Sequence, residues 1–214
     1  MSAFALPKGF GTFANKPQPR AVLFFFAGIL PVSCIALHCA GIISLRHSFL
    51  FLVLPVIALA LTLNATDRKL LHLVFRGWVS GVIAVAVYDL SRIPFVYAGW
   101  EDFIPHISSW LTPHDTHPYL VSYIWRYAGN GGGLGIVFFL LAKHFSWKKY
   151  IVSGGVTFGL LVYIGLLALL VIFPDAQKLM FEITPVAFFG GLVGHIVYGF
   201  MLGKLASVAG IQRD

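Results

Sequence analysis

Charge is scarce in this chain. Only 11% of its 214 residues are charged, with eight acids against fifteen lysines and arginines. A soluble domain carries roughly twice that charged fraction, which excludes the soluble enzymes and binding domains. Cysteine is nearly absent as well. Cys34 and Cys39 are the only two, and a spacing of five sets them on different faces of a helix, so neither a disulfide nor a metal pair is expected. No P-loop, HExxH or CxxC motif occurs, no two histidines are arranged for haem, and no serine stands out as a nucleophile beside a base. These motifs assign no cofactor. Nucleic-acid motifs are lacking too, so the net charge of +7 points to anionic headgroups rather than nucleic acid as the partner.

Apolar length is what the chain has. Hydrophobic residues make up 58% of it, and the mean hydropathy is +0.86. Several runs reach the roughly 20 residues that a helix needs to cross a bilayer. They are continuous rather than alternating, which favours helices over a barrel. The expected fold is therefore all-α, a polytopic bundle of six transmembrane helices over residues 21–45, 48–63, 76–97, 118–142, 150–173 and 185–205. The second is short and follows the first closely, which suits little tilt or a partly re-entrant path. Thr184-Pro185 reads as an N-cap with proline in the first turn, His117-Pro118 as a weaker version, and Phe173-Pro174-Asp175 as a helix end. Tails 1–20 and 206–214 flank this single transmembrane domain. The first apolar run is too long for a secretory signal and lacks a cleavage site, so it is expected to be retained.

Loop charges alternate along the chain. Lys8, Lys16 and Arg20, then Arg68, Lys69 and Arg76, then Lys143, Lys148 and Lys149 mark one side. Glu101, Asp102, Asp115, Asp175 and Glu182 mark the other. The positive-inside rule then places both termini in the cytoplasm of a cell-membrane protein. In the outer stretch Gly99–His117, the large apolar residues from Trp100 to Leu111 share one helical face, opposite Glu101, Asp102, Ser108 and Ser109. A short amphipathic helix over 101–111 is expected there, lying in the interface with its tryptophans at headgroup level. Glycines spaced by four, Gly77/Gly81, Gly129/Gly133 and Gly199/Gly203, read as close helix contacts. Unwinding of the Gly-rich stretch after Tyr127, exposing carbonyls, is the other reading.

The polar residues inside these runs form stripes. Asp89 and Arg92 are three apart, and Tyr88 is four from Arg92. Ser122, Arg126 and Asn130 repeat every four residues, and Gly191, His195 and Tyr198 make a third stripe. At about 1.5 Å per residue, Asp89 and Arg126 reach similar depth in the outer half of the membrane. An uncompensated charge at the bilayer centre costs at least about 2.5–3.5 kcal/mol on insertion scales, so these groups are expected to converge inside the bundle. A structural Asp/Arg pair that sets helix register is one reading, and His195 as a core histidine bonded to a carbonyl is another. The functional reading makes Asp89 and His195 catalytic, with Arg92, Arg126, Asn130, Tyr198, Ser122 and Tyr88 binding substrate. With two arginines against one acid, the site would keep a positive surplus suited to a carboxylate or phosphate. A metal is a weaker alternative, on His106, His114, Asp115 and His117.

"VYDLSR" (Val87–Arg92), "GNG" (Gly129–Gly131) and "GHIVYGFMLG" (Gly194–Gly203) resemble stretches of small bacterial multi-pass membrane proteins of unassigned function. The resemblance implies no activity. It singles out Asp89, Arg92, Asn130, His195 and Tyr198, which the helix faces select as well.

Three functions fit. The first is a membrane-embedded enzyme on a lipid-soluble anionic substrate, isoprenoid or acyl, with Asp89 as acid or base. The second is an anion or proton transporter component, which six helices would serve as a homodimer. The third is a non-catalytic partner or assembly subunit whose charges fix packing. Membrane lipids, a second copy or a partner membrane subunit are the expected contacts. A lipid-sized cavity opening sideways favours the enzyme, and a solid core with paired charges favours the subunit.

Overall fold

A computed structural model describes residues 19–112, 119–147 and 149–210. Among them every regular element is a helix. The order is α1 (Pro19–Cys39), α2 (Leu45–Ser48), a π segment (Phe49–Val53), α3 (Leu54–Leu63), α4 (Arg68–Tyr97), a 3₁₀ turn (Ile104–His106) and α5 (Ile107–Leu111). There follow α6 (Tyr119–Ile124), a second π segment (Trp125–Gly131), α7 (Gly132–His144), α8 (Ile151–Ile172), α9 (Pro174–Leu179) and α10 (Pro185–Val208).

Five of these are long and apolar enough to cross a membrane: Arg20–Cys39, Leu45–Leu63, Arg68–Tyr97, Ile151–Ile172 and Pro185–Val208. The fourth expected span is a continuous helical run over 119–144, but Arg126, Asn130 and its glycines hold it below that apolarity. It nevertheless passes from one end of the bundle to the other. At one end, the loop end, Cys39, Leu45, Trp100, Trp125, Leu170 and Ala187 share a core. At the opposite, basic end, Phe24, Ala60, Leu70 and Leu140 share another.

Local chemistry explains where the helices differ from expectation. α1 ends at Cys39, not Leu45. Gly41 adopts φ +71°, its N–H donates to His38 O, and Ile42 N–H returns to Leu37 O, which together close a Schellman cap. Ser44 then caps α2 by accepting from His47 N–H. α4 begins at Arg68 rather than Arg76 because Asp67 accepts from Leu70 N–H. Its 30 residues extend about 45 Å, well beyond a hydrocarbon core of about 30 Å. In the second pass, Leu54 N–H donates to Phe49 O, five residues back, just ahead of Pro55, which has no N–H to give. Thr184 caps α10 as expected, accepting from Ala187 N–H at 3.1 Å.

The outer amphipathic helix requires the largest correction. Residues 101–103 are not helical; the turn starts at Ile104, with Pro105 in its first positions, and α5 ends at Leu111. Its apolar side packs on protein, since Ile104, Ile107 and Trp100 are almost fully buried. Ser108, expected on the polar face, is buried, and its N–H donates to Ser122 Oγ at 2.8 Å.

Close backbone contacts hold the bundle. Gly77 and Gly81 of α4 meet Gly135 and Gly131, Gly28 of α1 meets Gly133, and Gly155 and Gly159 of α8 meet Gly199 and the backbone of α10. Small residues at such crossings allow the dispersion contacts that replace the hydrophobic effect inside a membrane.

Candidate functional site: a polar cluster and an apolar cleft

The polar cluster forms around α4 and the second π segment. Arg126 Nη2 donates to Asp89 Oδ1 at 2.7 Å, and its guanidinium lies 4.6 Å from the centre of the Tyr88 ring. Arg92 lies 3.9 Å from the same carboxylate oxygen, pairs directly with Asp102 and covers the Trp100 ring at 5.4 Å. Each arginine is therefore held between a carboxylate and an aromatic face. The structure thus removes the expected positive surplus, because Asp102 supplies the second acid. Its place follows from the end of α4. Gly99 takes φ +102°, and Trp100 N–H returns to Phe95 O, turning the chain back over the helix end.

The other residues expected at the site divide into two groups. Tyr88, His195 and Tyr198 join the cluster. The His195 ring packs edge-on to Tyr88 at 5.2 Å and against Tyr163 at 5.1 Å, and its Nδ1 lies 2.7 Å from Gly191 O one turn earlier. Tyr198 donates to Gly131 O at 2.8 Å. Asn130 is buried beside this bond. Ser122 stands apart: it accepts from Ser108 N–H and donates to Pro105 O, so it fastens the 104–111 turn. Of the expected stripe Ser122–Arg126–Asn130, the last two lie in the π segment and are turned inside, while Ser122 lies in α6 ahead of it. A π turn advances fewer degrees per residue and frees carbonyls. Here Gly131 O takes the Tyr198 hydroxyl and Ala128 O takes Trp78 Nε1–H at 3.0 Å. The helix stays intact while its carbonyls turn to neighbouring side chains.

Three buried atoms of the cluster have no hydrogen-bond partner among the described protein groups: Asp89 Oδ2, Arg126 Nε and Asn130 Oδ1. Such orphans cost about 1–3 kcal/mol each. Two of the three are acceptors, so the cluster can receive a hydroxyl or water proton.

Of the residues weighed for a metal, His114, Asp115 and His117 lie outside the described residues. His106 is exposed at the 3₁₀ turn. Among the described residues no three His, Cys, Asp or Glu side chains gather as a metal site. Cys34 and Cys39 are buried and free.

On the other side of the same π segment is a cleft of about 760 Å³, within the ~300–1,000 Å³ range of small-molecule sites. α1, the first π segment with α3, the first half of α4 and the 119–136 stretch wall it. Its surface is nearly all hydrocarbon and aromatic, including Phe24, Phe49, Phe75, Trp78 and Trp125. Its rim residues Ile57, Leu61 and Phe75 are exposed on the outside of the bundle. None of the eight residues expected at the site lines it. Trp125, Ala128 and Gly129 face the cleft, and Arg126 faces the cluster, so one seven-residue element separates the two. Sequence reasoning missed the cleft because no polar residue marks it. Pro31 and Pro55, inside the passes that wall it, were the available signals. No family model matches this sequence, and no curated protein or solved structure is significantly similar to it.

Proposed function

We propose that this chain is a six-span integral membrane protein that receives the hydrocarbon part of a lipid-soluble molecule in its lateral cleft. The observation that carries the reading is the cleft itself: lipid-sized, uncharged in its lining and rimmed by exposed apolar side chains. In a bilayer such an opening meets lipid rather than water. The segment 119–144 counts as a span because it crosses the bundle against α1 and α4, with its polar residues turned to partners inside. By helix order, Arg20, Arg68, Lys69, Lys143 and Lys149 fall at one set of alternate helix ends, and Glu101, Asp102, Asp175 and Glu182, with Arg46 and Lys178, at the other. That distribution supports cytoplasmic termini in a cell membrane.

In this reading the polar cluster fixes the register of α4, the π segment and α10 and so shapes one wall of the cleft. Chemistry at Asp89 has a single supporting observation, its unpartnered Oδ2. Against it stand the pairing of both arginines with carboxylates and the exclusion of Asp89 and His195 from the cleft lining. Native mass spectrometry tests the reading. Protein extracted in mild detergent is expected to carry retained lipid, and Ala128→Leu, which fills the cleft, is expected to carry less at unchanged thermal stability. Equal retention in both would overturn it.

A further inference from the structure

We infer that the cleft takes an anionic phospholipid from the leaflet at the basic end, its acyl chain between the helices and its headgroup on Arg20 and Arg68. The inference rests on the lipid-receiving reading of the cleft and adds the class of the guest. On α1, Phe24, Ala27 and Pro31 line the cleft at spacings of three and four. One turn before Phe24 on the same stripe is Arg20. On α4, Leu71, Phe75 and Trp78 line it at the same spacings, and three residues before Leu71 is Arg68. Two walls of the cleft therefore begin with an arginine at the same end. That they share an end follows from the core that joins Phe24, Leu70 and Val74.

Both arginines are exposed, and neither belongs to the ion pairs among the described residues. The acid just before Arg68, Asp67, is used at the start of α4, where it accepts from Leu70 N–H. Guanidinium forks match phosphate oxygens, and each basic side chain near a headgroup layer strengthens anionic-lipid binding about five-fold. The opposite mouth offers one exposed arginine, Arg46, at the end that also carries Glu101 and Asp102. The charge therefore selects the basic end, and the uncharged lining excludes a headgroup drawn into the cleft.

The experiment is a competition read by native mass spectrometry. The whole protein is incubated with phosphatidylglycerol and phosphatidylcholine of identical acyl chains in equal amounts. The wild type is expected to retain several-fold more phosphatidylglycerol. Arg20→Gln/Arg68→Gln is expected to lose at least five-fold of that preference while still retaining lipid, and Arg46→Gln to keep it. Retention without preference in the wild type, a preference untouched by the double substitution, or a preference lost in Arg46→Gln each overturns the inference and leaves the cleft reading standing. Retention of neither lipid removes both.

Discussion

Asp89 answers to two arginines, and its substitution separates structural from chemical roles. Asp89→Asn leaves Arg126 against the Tyr88 ring with no carboxylate to accept from it. Breaking one side of a buried pair costs about 3–5 kcal/mol, so the melting temperature in detergent is expected to fall sharply. Replacing both partners, as Asp89→Leu/Arg126→Met, is expected to restore most of the loss, because an apolar pair leaves no buried charge without its partner. Failure of the double variant to recover would show that the carboxylate does more than neutralise the arginine. Tyr198→Phe removes one hydroxyl from Gly131 O and is expected to cost about 0.5–1.5 kcal/mol by the same measurement. These residues were legible in the sequence because ionisable groups in apolar runs stand out. Asp102 was not, because its partnership depends on a left-handed Gly99 that folds the chain back over α4, and a loop acid at a membrane edge ordinarily faces water.

Elements meet through glycine. At Gly199 an added Cβ would lie 2.8 Å from the Gly155 carbonyl carbon and 2.9 Å from Val156 Cα, both backbone atoms of α8 that cannot turn aside. Gly199→Val is therefore expected to force α8 from α10 and destabilise by about 1–3 kcal/mol or more, whereas Gly165→Ala, with open space around it, should be neutral in the same thermal assay. Equal effects would show that the crossing is not close-packed. The helix faces of Gly77/Gly81 and Gly199/Gly203 follow directly from spacing, and the Thr184-Pro185 start from capping chemistry. The π segment does not. Residues 125–131 keep the composition of a Gly-rich helix, and the widened turn comes from donors on other elements, Trp78 and Tyr198, reaching its carbonyls. The stripe Ser122–Arg126–Asn130, read with an α-helical period, joins Ser122 to two residues of the cluster, whereas Ser122 bonds to the 104–111 turn.

The whole molecule is an end-to-end bundle in which charge marks the ends and the cleft opens at the side. Its topology has a direct check. With Cys34 and Cys39 replaced, Ser109→Cys is expected to react with an impermeant thiol reagent on intact cells and Ser146→Cys only after lysis; the reverse pattern, or labelling of both from one side, would contradict six spans with cytoplasmic termini. The class and most of the passes were legible because hydrophobic length is a strong signal. The cleft was not, because its walls are made of the same apolar residues that face lipid everywhere else. The account rests on that cleft, and photo-crosslinking in membranes with a phospholipid bearing a diazirine on its acyl chain tests it most directly. Adducts mapped by peptide mass spectrometry are expected to concentrate on residues 53–61, 71–78 and 121–136, well above those on the equally apolar outer face of α8 at Leu161, Ile164 and Val171. Adducts spread evenly over both surfaces, or absent from the cleft, would contradict it.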